Sequence, residues 1–240
     1  MKIVAIIQAR MTSSRLPGKV LRIIGNQPML WYSTHRLSKS SMIDHVVVAT
    51  SNNSSDDDVF RFCKSKNFNC FRGDLDNVLS RYYFAGLTYQ ADIMVRITAD
   101  CPLSDPLLVE HGIELFQKNA TDYLSNTVKR TYPRGFDFEI MTFDALKKAY
   151  LCATKGFEKE HVTPYIWKTH PEQFRISQIT QPNDYSSFRI TVDTQEDFEV
   201  MKILIEQYKA DQLNYNQITT ILQKHPEIAA LNKNVQQKHV

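Results

Sequence analysis

The residues with the clearest chemical potential sit in AIIQARMTSSRLPGKVL, residues 5–21, where an apolar run, Val4-Ala5-Ile6-Ile7, gives way to a loop. That loop gathers Arg10, Arg15 and Lys19 around Ser13, Ser14, Pro17 and Gly18. Cations, small hydroxyls and a flexible glycine can surround a polyphosphate with charge-assisted hydrogen bonds and backbone N–H groups. Solvent-facing loop cations have the same composition, and the loop is neither a GxxxxGK[ST] phosphate loop nor a GxGxxG dinucleotide turn.

Two aspartates stand at comparable places. Asp100 follows the strand predicted over 93–98 and precedes Cys101-Pro102, and Asp193 follows a strand predicted over 188–192. One carboxylate from each of two strand ends can hold magnesium, which takes a few carboxylate oxygens and fills its octahedron with phosphate and water. Either aspartate can equally cap the segment that follows it. Arg96, inside VRIT, fits a buried pair with a carboxylate better than a reach to the strand end. The triplet Asp56-Asp57-Asp58 reads as a solvated helix start favoured by the helix dipole, without a catalytic role.

Those groups need a scaffold that brings strand ends together. Strand-like runs at 3–8, 45–50, 69–71 and 92–98 alternate with helical patterns, the signature of β-α-β units on a parallel sheet. In such sheets, ligands sit beyond the carboxyl ends of the strands, which puts the Arg10–Lys19 loop on the functional edge. Pro28 is placed in the first turn of a helix through Leu37. The aromatics of the 75–89 helix (Tyr82, Tyr83, Phe84), with Leu87, are expected in the core. Residues 119–156 break the alternation with NTVKRTYPRGFDFEIMT, in which Tyr132-Pro133-Arg134-Gly135 is a turn. Strands at 174–180 and 188–192 then lead to a helix capped by Thr194, and Pro226 divides a short helical pair over 212–231. The expected organisation is a single domain over 1–231, with an excursion at 119–180 for acceptor binding and dimerisation, and a fraying polar tail at 232–240.

Composition narrows the class. The 240 residues carry 29 basic and 26 acidic side chains, a net charge of +3. That balance lacks the basic footprint of a nucleic-acid binder, so no nucleic-acid partner is expected. The four cysteines, Cys63, Cys70, Cys101 and Cys152, have neither metal-finger spacing nor a CxxC pair and point to a reducing, cytoplasmic setting. The first apolar run ends at Gln8, too short for a leader or a membrane span, and no membrane partner is expected.

ARxxSxRLPGK, read at Ala9, Arg10, Ser13, Arg15, Leu16, Pro17, Gly18 and Lys19, resembles the signature loop of the sugar-acid cytidylyltransferases. The resemblance continues through VATS at 48–51, FRGDLDNVLSRYY at 71–83, VRITADCPLSDP at 95–106, YPRGFDFE at 132–139, EHVTPYI at 160–166 and RITVDTQED at 189–197. These ordered blocks look like the spore-coat-polysaccharide SpsF branch and, more distantly, like CMP-Kdo and CMP-sialic acid synthetases.

The resemblance implies a Rossmann-like, three-layer α/β/α nucleotidyltransferase fold with a mixed, mostly parallel sheet and an excursion arm. It implies an enzyme that uses CTP and Mg2+ to activate a sugar acid of nonulosonic type, releasing pyrophosphate, in surface polysaccharide or glycan synthesis; relatives are often homodimers. By carry-over, Arg10 and Lys19 are the catalytic cations. The nucleotide-binding set is Ala9, Arg10, Ser13, Arg15, Lys19, Thr50, Arg72 and Asp100, with Arg15 also able to brace the loop and Arg72 equally a structural turn residue. Asp100 and Asp193 are the metal ligands. Arg134, Asp137, Glu139 and His161 are the acceptor-binding candidates, and an internal Glu139–His161 pair is the competing reading. A non-sugar or phosphonate acceptor, or a glycosyltransferase on the same fold, are the alternatives; Asp100-Cys101-Pro102 in place of a DxD motif argues against the latter.

Overall fold

Uninterrupted Val and Ile runs favour strands buried on both faces, and that is where they lie. The structure is a computed structural model that describes residues 1–237. Its strands are β1 (Ile3–Gln8), β2 (Ile23–Ile24), β3 (Gln27–Pro28), β4 (His45–Ser51), β5 (Asn69–Gly73), β6 (Ile93–Thr98), β7 (Tyr123–Ser125), β8 (Glu139–Thr142) and β9 (Ile176–Gln178). Helices α1 (Met29–Leu37), α2 (Asp57–Ser65), α3 (Val78–Thr88), α4 (Pro106–Lys118) and α5 (Phe143–Cys152) alternate with them. After α6 (Gly156–His161) and a π-helical turn at Tyr165–Thr169 come α7 (Gln195–Tyr208), α8 (Tyr215–Lys224) and α9 (Pro226–Ala230).

Seven strands form one sheet in the order β5-β4-β1-β6-β8-β7-β9, and β2 and β3 make a separate small hairpin. β5, β4, β1 and β6 run parallel, β8 is antiparallel to both neighbours, and β9 is parallel to β7. The 119–180 excursion thus supplies three strands of this sheet. Alternate residues of β1 enter opposite cores: Ile3, Ala5 and Ile7 pack with α1, α4 and α7, whereas Val4 and Ile6 pack with α3 and α5. This is the three-layer architecture expected of the sequence. No helix among the described residues is long and apolar enough to cross a membrane.

The chain leaves β1 toward β4 on one side and later returns to β6 on the other, so a crevice opens between their carboxyl ends. Gln8 and Thr98 are direct partners in that register. The loops carrying Lys19 and Asp100 therefore emerge side by side. Asp193 reaches the same place by a different device. Residues 188–192 form no ladder, contrary to the predicted strand: they make one isolated bridge, Arg134 to Arg189, because their partners lie in a turn where Gly135 has φ +114°. The Val192 N–H then donates to Asp100 O at 2.8 Å.

Other expectations are corrected by packing. Pro28 lies in β3 with ψ 148° and caps α1 from outside, with no place in its first turn. Phe84 and Leu87 are exposed, at 43% and 52%, because α3 turns only its Val78, Leu79, Tyr82 and Ala85 side onto the sheet. Asp57 and Asp58 do begin α2, but Asp56 is fully buried. The tail also departs from fraying: Asn232 is buried, and its Nδ2 donates to Arg189 O and to Asp197 Oδ1. Residues 238–240 of that expectation lie outside the described residues.

Asp56 links the core to the signature loop. Its Oδ1 accepts from the Met11 N–H at 2.7 Å, and its Oδ2 accepts from the Ser51 N–H and hydroxyl at 3.2 and 2.5 Å. Asp56→Ala leaves those donors without partners and is expected to lower the unfolding free energy by about 2–4 kcal/mol in urea titrations. A loss below about 1 kcal/mol would show that the loop is held elsewhere.

Candidate active site

The loop after β1 is fixed by its backbone before its side chains act. The Ala9 N–H donates to Ala49 O, and the Ser13 and Gly18 N–H groups both donate to Met11 O, all at 3.0 Å. Leu16 is buried in the core beneath the loop. Gly18 takes φ +67°, a left-handed turn in which a side chain would be strained, and this turns Lys19 inward.

Lys19 is nearly buried, at 9% exposure, and its ammonium has three partners. Nζ donates to Asp193 Oδ1 at 2.8 Å, to Val192 O at 2.7 Å and to Asp100 Oδ2 at 3.3 Å. Burial by itself lowers the Lys19 pKa, but the two carboxylates outweigh it and hold the ammonium above the ordinary lysine range. Burial likewise raises Asp193, and Lys19, Arg15 and Arg189 overcome that to keep its carboxyl below the usual carboxylate range.

Around this centre, Arg15 Nη2 pairs with Asp193 Oδ2 at 3.0 Å while its Nη1 donates to Gln236 O at 3.2 Å. Arg189 joins Asp193 to Asp197, whose other contacts cap α7 at the Asp193 and Thr194 N–H groups. Gln237 Oε1 accepts from Arg189 Nη1 at 2.6 Å. The tail is therefore part of the site's wall, a connection no local sequence pattern announces.

Two adjoining cavities open here, of about 390 and 220 Å3. Gln8, Arg10, Arg15, Thr98, Asp100 and Asp193 line both; Lys19 and Ser13 face the smaller one. Arg10 is exposed and has no hydrogen bond or ion pair among the described residues, so its charge is available to a ligand. Ala9 lines the larger cavity from beneath. Thr50 is fully buried in β4, and neither it nor Arg72 lines either cavity. Arg72 instead pairs with Asp57 at 2.7 Å and donates to Ser51 O and Asn53 O, which is its structural reading.

The far wall is a charged network. Arg96 pairs with Glu139, which also accepts from the Tyr123 and Thr163 hydroxyls at 2.5 Å each. Glu139 is thus held by Arg96, and the internal pair with His161 does not form. Thr163 closes a tight turn, its N–H donating to His161 O at 2.9 Å across Val162 at φ +73°, a strained conformation for a β-branched residue. The turn presents His161 to the larger cavity. Burial, followed by nearby Arg96, Arg10 and Lys168, outweighs Glu160 and lowers the His161 pKa, favouring the neutral ring.

Asp137 is held at both oxygens by Arg130, at 2.5 and 2.8 Å. Arg134 lines the same cavity with no side-chain partner among the described residues, and burial and Arg130 lower its pKa. The structure thus gathers Arg10, Lys19, Asp100, Asp193, Arg134, Asp137, Glu139 and His161 around one crevice, with Lys19, Asp100, Asp193, Asp137 and Glu139 already in internal pairs. Sequence reasoning missed Arg81, Arg130, Trp167, Arg189 and Gln237. The blocks FRGDLDNVLSRYY and RITVDTQED contain Arg81 and Arg189, but nothing in their spacing tells a structural arginine from a ligand-facing one.

Comparison with known proteins identifies the family. A family model described as cytidylyltransferase matches residues 4–238. An uncharacterized protein of Methanocaldococcus jannaschii is 38% identical over 241 residues, covering 99% of this chain and 97% of its own. The spore coat polysaccharide biosynthesis protein SpsF of Bacillus subtilis is 32% identical, covering 95% and 96%. An 8-amino-3,8-dideoxy-manno-octulosonate cytidylyltransferase of Shewanella frigidimarina is 30% identical, covering 79% and 72%. The solved structure of a cytidylyltransferase from Leptospira borgpetersenii superposes with a TM-score of 0.91 at 34% identity, covering 100% of both chains.

In the Arg96–Glu139 pair the carboxylate is buried and the guanidinium largely so, at 6% and 15% side-chain exposure. Arg96→Met, which strands the carboxylate, is expected to cost about 3–5 kcal/mol in chemical denaturation. The double variant Arg96→Met/Glu139→Gln should cost at least about 2 kcal/mol less than the sum of the two single changes. Additive losses would mean that the pair does not act as a unit.

Proposed function

Since this chain belongs to the sugar-acid cytidylyltransferase family, we propose that it transfers the CMP group of CTP to a sugar acid of the nonulosonic type, releasing pyrophosphate, in the synthesis of a surface polysaccharide or glycan. The observation that carries this reading is the convergence of Lys19, Asp100 and Asp193 at the crevice, beside a cavity with unpaired arginines. The catalytic demand is charge stabilisation: substitution at the α-phosphorus places negative charge on its equatorial oxygens and on the leaving pyrophosphate.

Lys19 and Arg10 meet that demand from the loop side. Lys19 is held charged by its carboxylates, so it arrives at the phosphates as an ammonium without a proton to gain. Arg10 stands free between the two cavities and can follow the phosphates. Asp100 and Asp193 are the carboxylates that would hold a magnesium ion; Asp193 would exchange contacts for it, since Lys19, Arg15 and Arg189 already hold both of its oxygens. When bound there, magnesium supplies further neutralisation of the phosphate charge.

The acceptor belongs in the larger cavity. Arg134 offers an unpaired guanidinium for a carboxylate, as the sequence suggested, and neutral His161 offers a ring nitrogen to a hydroxyl. Asp137 and Glu139 line that space but are primarily wall-building groups through Arg130 and Arg96.

Pyrophosphate release in the presence of CTP, Mg2+ and a panel of acidic sugars tests the assignment. Lys19→Ala and Asp100→Asn are expected to lower kcat at least about 100-fold with circular dichroism unchanged. Arg134→Ala should raise the acceptor KM by about 10- to 100-fold with the CTP affinity intact. No release with any acid, or near-normal turnover in the Lys19 variant, sinks the reading.

A further inference from the structure

Among the described residues that line the cavity, Arg81 is the arginine that the fold buries almost completely and leaves without an ion pair. It is 2% exposed, and its Nε and Nη1 are buried without hydrogen-bond partners. The nearby carboxylates are engaged elsewhere: Asp56 holds the Met11 and Ser51 N–H groups, and Asp74 accepts from the Asp76 and Asn77 N–H groups. A buried guanidinium in this state is costly and calls for an acceptor, whether water, ion or ligand, to satisfy it. Burial pushes its pKa down and Arg10 adds to that with a like charge, which together outweigh the opposing fields of Tyr82, Asp56 and Asp74; an anion or strong acceptor would relieve the cost.

The surroundings are built to admit it. A Cβ on Gly73 would lie 2.7 Å from Arg81 Cγ, so the glycine clears room for the arginine stem. Val78 and Arg81, one turn apart on α3, line the larger cavity together with Ala9 and Arg10. Arg81 does not line the smaller cavity, where Lys19 lies. β1, α1, β4, α2 and β5 form the β-α-β-α-β half that binds a mononucleotide in folds of this kind, and α3 directly follows β5.

We propose that Arg81 is a nucleotide-binding residue, donating from Nε and Nη1 to acceptor oxygens of the bound nucleotide beside Arg10, either a phosphate or the base carbonyl. This deepens the cytidylyltransferase reading and rests on it. Arg81 takes the place that the sequence offered to Arg72, whose guanidinium is spent on Asp57 and on backbone carbonyls.

The test compares wild type with Arg81→Met and Arg81→Lys, by thermal unfolding without ligand and by calorimetric titration with CTP, cytidine and inorganic pyrophosphate. Arg81→Met is expected to unfold at the wild-type temperature or a few degrees above it, because it removes an unpaired buried charge, while CTP affinity falls about 10- to 100-fold. Arg81→Lys should lie between the two. Loss shared by cytidine assigns the contact to the base, and loss shared by pyrophosphate assigns it to the phosphates. Unchanged CTP affinity, or a ligand-free midpoint lowered by about 5 °C or more, overturns the proposal and makes Arg81 structural. If wild type itself binds no CTP, the cytidylyltransferase reading fails, and the ligand-free midpoint of Arg81→Met still decides whether the arginine serves the fold.

Discussion

The ammonium of Lys19, buried between Asp193, Val192 O and Asp100, is the constraint on which the site depends. It joins segments separated by 81 and 174 residues, and none of the three is in place without the sheet. The parallel register of β1 and β6 sets the first two side by side, and the Val192 N–H bond to Asp100 O brings in the third. A buried charge pair contributes little net stability once desolvation is counted, so its value here is to fix one arrangement of three loops. Its partners repeat that logic outward: Asp193 is held by Arg15 and Arg189, Arg189 by Asp197, and Asp197 caps the helix that follows.

The arginines of the crevice divide by whether the fold already uses their charge. Arg15, Arg96 and Arg130 each meet a carboxylate, and these pairs build walls of defined shape around the cavity. Arg10, Arg81 and Arg134 meet none among the described residues. The cavity is therefore positive where it is unpaired and structured where it is paired, which is the distribution that the two proposed anionic substrates would require. Residue type alone does not distinguish the two groups; the position of the opposing carboxylate does.

Part of the backbone strain falls in the same neighbourhood. Gly18 and Gly135 hold positive φ where the chain must turn a cation inward or approach Ile190 closely, and Val162 holds φ +73° although it is β-branched. Val162 is fully buried and is flanked by Thr163, whose hydroxyl is tied to Glu139, so packing and the Arg96–Glu139 pair bear the cost of the turn that presents His161. The tail contributes in a similar indirect way, with Asn232 and Gln237 completing the bonds of Arg189.

Much was legible in the chain itself. Alternating strand and helix patterns specified the parallel strands, Thr194 specified the start of α7, and the strand-end position of Asp100 and the loop of Arg10 and Lys19 placed those residues at the crevice, because each depends on local periodicity or on a rule about strand ends; Asp193 reaches the same place although the strand predicted before it does not form. Arg96 was readable as a buried pair because a mid-strand cation has few other options. What local patterns cannot carry is the identity of a partner far along the chain. That Asp56 is buried under the loop, that Glu139 answers Arg96 while Asp137 answers Arg130, that Arg72 is spent and Arg81 is not, and that the tail returns to the site were decided only by tertiary structure. Burial and counter-charge are properties of a place in space, and the sequence determines them only through the whole fold.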